Sequence, residues 1–200
     1  MDTARREERR KMIIWLCGAS AAGKSTITRG VFESLGEVTL YRSISDDYNI
    51  RCYYNKDILT VGRKFGLTSS GLDGVKTGLS KFKKFIKKEY PSWRHIILEG
   101  NKYITNRQMH DFLLEENYDF KLYYICPPID KILERANNRN NGVDKKFVID
   151  AKIPHQYKQH ENYESIFSEE KYNKNVIRKQ NLDLDESEQI VKEILCILKE

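Results

Sequence analysis

Gly18-Ala-Ser-Ala-Ala-Gly23-Lys24-Ser25-Thr26 fits the phosphate-binding pattern G-x-x-x-x-G-K-[ST]. The flanks match its chemistry. Met12–Cys17 (MIIWLC) is a short apolar run of strand character. Behind the loop, Ser25 to Leu35 reads as a helix, with Ile27, Val31, Phe32 and Leu35 at helical spacing. Strand, glycine loop and helix in that order build an anion cradle, because loop N–H groups and the helix N-terminus face the same point. Gly18, Ser20, Ala21, Ala22, Gly23 and Thr26 shape and line this cradle. Lys24 adds a full positive charge, and the Ser25 hydroxyl is placed to reach a magnesium ion. The stretch therefore predicts a site for a nucleoside triphosphate with Mg²⁺.

The 200 residues are 40% hydrophobic and 32% charged, which suits one domain with an ample core. The expected division is an N-terminal extension over 1–11 and one domain over 12–200. No apolar run approaches the length of a membrane span, and the N-terminus lacks a signal-peptide core, so the expectation is a soluble, cytoplasmic protein without a membrane partner. Cys17, Cys52, Cys126 and Cys196 are widely scattered, without a C-x-x-C pair, against both a metal site and a disulfide scaffold. Cys17 and Cys126 end apolar runs and read as reduced core residues. The net charge of +6 admits a polyanionic partner, for which a nucleotide would account in part. The mixed-sign run Arg5–Lys11 reads as a solvated lead-in to the first strand, with a nucleic-acid arm as the alternative.

Further along, strand and helix patterns alternate. Strands are expected at 12–17, 37–41, 95–99, 120–126 and 175–179. Helices are expected at 24–35, 72–89, 104–117, 128–139, 145–168 and 185–199. Near-continuous apolar runs such as His95–Glu99 and Lys121–Cys126 suit strands buried on both faces. The pattern predicts a three-layer α/β fold, a parallel five-stranded sheet with helices on both sides. Ligands of such sheets bind at the carboxyl ends of the strands, where the chemistry is to be sought.

After the expected second strand comes Ser43-Ile-Ser-Asp46-Asp47-Tyr48. A carboxylate there could accept the proton of an attacking hydroxyl, or the pair could cap a helix. Glu99 closes the third strand ahead of Gly100, in position to hold a metal's hydration shell or orient an acceptor. After the fourth strand, Arg135 and Arg139 lie four residues apart on one helical face and could reach one polyphosphate, followed by the turn Asn140-Asn-Gly142. Between Asp57 and Trp93, Val61-Gly-Arg63-Lys precedes Thr68-Ser-Ser-Gly-Leu-Asp73-Gly, a hydroxyl- and glycine-rich loop that makes Arg63 and Asp73 substrate-binding candidates.

The helix that follows carries Val75, Leu79, Phe82, Phe85 and Ile86 on a core stripe. Lys81, Lys83, Lys84, Lys87 and Lys88 fill the rest, either as a solvated face or as a path for a DNA backbone. His155 and His160 could position substrate or belong to a helix packing back on the 134–160 segment. Asn175–Arg178 with Asn181 reads as a last strand and a loop for a nucleotide base.

As a whole, residues 12–199 resemble the P-loop kinases of the nucleoside and nucleotide kinase group. GASAAGKST carries the superfamily, while ILEGN (97–101) and LERANNR (133–139) favour kinases; the N/T-K-x-D motif of GTPases is missing. The resemblance implies a P-loop NTPase fold with a helical lid over about 134–160, closing Arg135 and Arg139 over the phosphates, and an acceptor segment over about 42–93. It implies ATP and Mg²⁺ as cofactors, Lys24 on the phosphates, and Ser25 and Glu99 toward the metal.

Asp46-Asp47-Tyr48 resembles phage-type polynucleotide kinases, which makes Asp46 the expected base and Asp47 a substrate contact. VGRKFGLTSSGLDG (61–74), ILEGN and Arg107 are similar to phage kinases acting on hydroxymethylated pyrimidines in DNA. The implied acceptor is 5-hydroxymethyluracil in DNA. A free nucleoside, nucleotide or other small alcohol is the alternative acceptor, and a non-catalytic nucleotide-binding module is the reading from a different class.

Overall fold

The computed structural model describes residues 10–62, 71–139 and 157–200. Its centre is β1 (Met12–Cys17), every residue of which is buried. It pairs in parallel with β5 (His95–Glu99) on one side and β6 (Phe120–Ile125) on the other. Side chains alternate across a strand, so β1 feeds two cores. Met12, Ile14 and Leu16 meet Ile27, Val31, Ile190 and Ile194 on one face. Ile13, Trp15 and Cys17 meet Phe82, Phe85, Met109 and Phe167 on the other.

Among the described residues the sheet has seven strands rather than the expected five, in the order β2 (Thr39–Ser45), β3 (Tyr48–Asn55), β4 (Ile58–Val61), β5, β1, β6 and β7 (Val176–Lys179). Five are parallel: β4, β5, β1, β6 and β7. The remaining two, β2 and β3, form an antiparallel hairpin that continues through a tight turn into β4. This corrects the expected second strand at 37–41. That segment begins the hairpin, and the strand beside β5 is β4. Along β3, Tyr48 to Cys52 alternate buried and exposed, whereas β4 is buried throughout. Lys56 bridges the two strands at a φ of 50°.

Two helices cover one face, α1 (Lys24–Leu35) and α7 (Leu184–Ile197). On the other lie α2 (Leu79–Glu89), α3 (Arg107–Glu115) and α5, helical over 157–167. Helix α2 starts later than the expected 72–89. Gly71–Gly74 instead forms a short 3₁₀ turn, and the glycines at 74 and 78 disfavour a continuous helix. The predicted core stripe holds, with Val75, Phe82, Phe85 and Ile86 buried. Helix α4 (Ile129–Arg139) follows β6, and α6 (Glu170–Asn173) is a single turn before β7. The expected lid over 134–160 is described only at its two ends. All four cysteines are free; Cys17 and Cys52 are buried, Cys126 is half-buried and Cys196 exposed. No helix among the described residues is long and apolar enough to cross a membrane.

Candidate active site

The chain leaves β1 at Gly18 with a φ of +139°. A Cβ there would lie 2.2 Å from the Ile125 carbonyl oxygen, so only glycine lets the loop turn against the end of β6. Ala21, at a φ of 68°, and Gly23 continue the loop through left-handed backbone. Lys24 is buried, and its ammonium donates to the carbonyls of Gly18 (2.9 Å) and Ala19 (2.8 Å). The charge thus sits inside the loop it closes, at the N-terminus of α1. Ser20 and Thr26 are exposed, while Ala21 and Ala22 pack inward.

Ser25 Oγ donates to Glu99 Oε1 at 3.0 Å. Glu99 is the buried last residue of β5. Beyond it, the Gly100 N–H donates to the Leu16 carbonyl and Trp15 Nε1–H to the Gly100 carbonyl, locking the turn onto β1. The 3₁₀ turn Gly71–Gly74 lies directly on this carboxylate. A Cβ on Gly71 would stand 2.2 Å from the Glu99 carbonyl oxygen and 2.7 Å from Oε2. Asp73 is carried with the turn, its Oδ1 accepting from the backbone N–H groups of Asn101 (3.1 Å) and Lys102 (2.9 Å).

Tyr163, from α5, donates its hydroxyl to Asn101 Oδ1 at 2.6 Å. Burial raises that phenol well above its ordinary range, so it stays a protonated donor. Among the described residues no group of three His, Cys, Asp or Glu could form a metal cage. Mg²⁺ does not require one, since it takes few protein oxygens and completes its shell with water and phosphate. Ser25 Oγ and Glu99 Oε1 are hard oxygen donors at the helix N-terminus where phosphates would lie, and they fit that ion.

On the other side of the loop, Arg135 bridges three carbonyls. It donates to Ala22 O (3.4 Å), Asn181 O (2.8 Å) and Leu182 O (2.8 Å). Asn181 is buried, and its Nδ2 donates to the same Ala22 carbonyl at 2.8 Å. Gly23, Thr26, Arg135, Asn138, Asn181 and Asp183 border a cavity of about 320 Å³ beside the loop. The segment read as a base-holding strand and loop is therefore β7 and its exit. Arg139 ends α4 one turn beyond Arg135; its side chain is outside the described residues.

Several expected site residues lie elsewhere. Asp46 and Asp47 form the turn between β2 and β3, at the far edge of the sheet from β1. The correction follows from topology, because the strand flanking β5 ends at Val61 and not at Tyr41. Asp47 is ion-paired with Lys84, whose hydrogen bond and charge hold its carboxyl below the usual range. Arg107 pairs with Glu169 at 2.6 Å and donates to Ser165, tying α3 to the end of α5. Arg63 and His155 lie outside the described residues. His160 Nδ1 is hydrogen-bonded to the Tyr124 hydroxyl at 2.6 Å, so its helix packs on β6.

Reading the sequence did not single out Asn101 or Tyr163 for the site. Asn101 directly follows the Glu99-Gly100 pair, whereas Tyr163 reaches the site only through the placement of α5.

No family model matches the sequence, and no curated protein matches it. Among solved structures, the chain is similar to the protein APE1195, at 14% identity and a TM-score of 0.51, covering 96% of each chain. It is also similar to a gluconokinase from Sinorhizobium meliloti, at 11% identity and a TM-score of 0.48, over 96% of this chain and 92% of that one. A shikimate kinase from Acinetobacter baumannii in complex with shikimate matches at 16% identity and a TM-score of 0.45, over 95% of this chain and 94% of the other. The likeness to APE1195 shows a shared α/β fold.

Proposed function

We propose that this chain is an ATP-dependent kinase that transfers the γ-phosphoryl group to a hydroxyl acceptor. The observation that carries the reading is the Ser25–Glu99 hydrogen bond, made at the N-terminus of α1 with Asp73 held alongside. A pure nucleotide binder has no need of a second carboxylate fixed beside the phosphate end.

Lys24 and the loop amides would bind the β- and γ-phosphates, and Ser25 and Glu99 would hold Mg²⁺. When bound, that ion would neutralise negative charge on the phosphates as the phosphoryl group is transferred. Asp73, held beside Gly100 at the end of β5, would take the proton of the acceptor hydroxyl, the role expected of Asp46. In that step the acceptor oxygen bonds to the γ-phosphorus as its bond to ADP breaks, and the proton passes to Asp73. Arg135 borders the cavity beside the loop, where its charge would favour a polyphosphate, and Arg139 would follow on the same helical face.

The acceptor we favour is a hydroxymethylated pyrimidine in DNA, on the strength of the likeness of residues 61–74, 97–101 and Arg107 to kinases of that kind. A free nucleoside, nucleotide or small alcohol is the second acceptor to test. Incubation with γ-labelled ATP, Mg²⁺ and each acceptor decides between them. Label on hydroxymethyluracil-containing DNA supports the first, and label on free nucleosides or alcohols alone supports the second. Label on no acceptor overturns the kinase reading in favour of a binding module.

A further inference from the structure

We propose that the β2–β3 hairpin carries an anion subsite, formed by Arg42, Arg51 and Lys76, that binds the phosphate or phosphodiester group of the acceptor. Its role toward an acceptor rests on the kinase reading; the binding itself does not.

The hairpin register places Arg42 directly opposite Arg51. Side chains in directly opposed positions share one face with Cβ atoms about 5 Å apart, and like charges so placed repel. Among the described residues neither arginine has an ion-pair partner, and neither has Lys76. A solvated basic face normally intersperses acids. Here three cations instead border one cavity of about 550 Å³, together with Asn49, Gly62 and Gly74. That volume is in the range of small-molecule sites. Guanidinium groups suit phosphate oxygens, which they can bind in pairs.

The cavity adjoins the reaction site. A Cβ on Gly62 would lie 2.6 Å from the Gly71 carbonyl oxygen, and Gly71 in turn rests against Glu99. Two glycines therefore form the wall between the cationic cavity and the Ser25–Glu99 pair. Gly74, which borders the cavity, follows Asp73 directly. A ligand with its anion on the hairpin would lie beside the turn that carries Asp73.

The lysines of α2, the sequence's own candidates for a nucleic-acid path, are largely engaged within the protein. Lys84 pairs with Asp47 and Lys87 with Glu116. Lys88 donates to the Ile44 carbonyl, and Lys83 lies over the Phe112 ring. Arg42 and Arg51 on the hairpin have no ion-pair partner among the described residues. Beside Arg42, Leu40 and Ile44 are 52% and 57% exposed, giving apolar surface next to the charges.

The test uses the full chain without ATP. Wild type, R42Q/R51Q and K76Q are titrated at low salt with thymidine 5′-monophosphate and with a fluorescent single-stranded oligonucleotide. A non-hydrolysable ATP analogue and circular dichroism serve as controls for the donor site and the fold. The expected result is a loss of about tenfold or more in affinity in R42Q/R51Q, with a smaller loss in K76Q and unchanged ATP-analogue binding. Binding of the oligonucleotide with a steep salt dependence assigns the anion to a phosphodiester, and binding of the monophosphate alone assigns it to a free nucleotide. Equal affinities in wild type and R42Q/R51Q, or no binding of either ligand, would overturn the subsite. Because no phosphoryl transfer is read, failure of the kinase assay leaves this result standing, and the reverse also holds.

Discussion

Ser25 Oγ and Glu99 Oε1 are joined by a 3.0 Å hydrogen bond that links the first turn of α1 to the end of β5. Substituting Glu99→Gln keeps the shape and an oxygen to accept from Ser25 but removes the charge. The fold should persist, and the apparent affinity for Mg²⁺ should fall by about 10- to 100-fold. The Mg²⁺ dependence of phosphoryl transfer checks this. Ser25→Ala should weaken the same quantity, and the double variant should cost less than the sum, since the two groups share one contact. Strict additivity would separate Glu99 from the metal.

Asp73 and Asp46 give opposite expectations. Asp73 is held by two backbone N–H groups next to Gly100, whereas Asp46 lies in an exposed hairpin turn. Asp73→Asn retains the acceptor oxygen for those amides and loses the basic site. It should lower kcat by about 100-fold or more while leaving ATP binding near wild type. Asp46→Asn should change kcat by less than about twofold, as surface substitutions away from a site do. Steady-state kinetics on both variants decides, and a large loss in Asp46→Asn would return the base to the hairpin.

The loop half of the candidate site was legible because it is local. Gly18, Gly23, Lys24 and Ser25 form one contiguous stretch whose order fixes its geometry, and Glu99 closes an apolar strand that could hardly lie outside the sheet. The other half of the candidate site depends on long-range pairing. Asp46 looked like a residue at the end of a core strand because Thr39–Tyr41 reads as one, and only the pairing of β3 with β4 moves it to the sheet's edge. Ile58–Val61 has four residues, too few for periodicity to distinguish from a loop. Tyr163 reaches Asn101 across 62 residues of sequence, a contact that no local pattern encodes.

His95 makes stability depend on pH. It is buried at the start of β5, and neither ring nitrogen has a hydrogen-bond partner among the described residues. Burial first, and then the charge of Arg94, lower its pKa to about 4, against the opposing pull of Asp57 and Asp119. An unfolded chain takes up that proton near pH 6.5, so the unfolded state binds more protons between the two values. The stability from keeping His95 neutral is complete above about pH 6.5 and is lost as the pH falls toward 4. The loss should amount to roughly 2–3 kcal/mol. Urea unfolding of wild type and His95→Leu between pH 7.5 and 4.5 tests this: the variant should lack that part of the slope. Parallel slopes would assign the acid sensitivity to other groups.

Asn181 couples the fold to the cavity beside the glycine loop. Its φ of 55° is left-handed, its Nδ2 holds the Ala22 carbonyl, and its Oδ1 accepts from Ser187 Oγ at 2.5 Å. The Asp183 carbonyl lies 3.0 Å from the same hydroxyl, which can turn its one proton there if Asn181 is truncated. Asn181→Ala loses two buried hydrogen bonds and leaves a Cβ in backbone that asparagine tolerates better than alanine. The expected cost is about 2–4 kcal/mol. Asn181→Gly removes the same bonds without the steric cost, and should be more stable than Asn181→Ala by about 1 kcal/mol. Both should weaken ATP binding, because the Ala22 carbonyl is an anchor of the loop. Arg135→Ala, which releases the same carbonyl without touching the left-handed residue, should weaken ATP binding with a smaller loss of stability. Thermal melts with and without nucleotide separate the effects. Equal stability of the alanine and glycine variants at position 181 would mean that the backbone there is not strained.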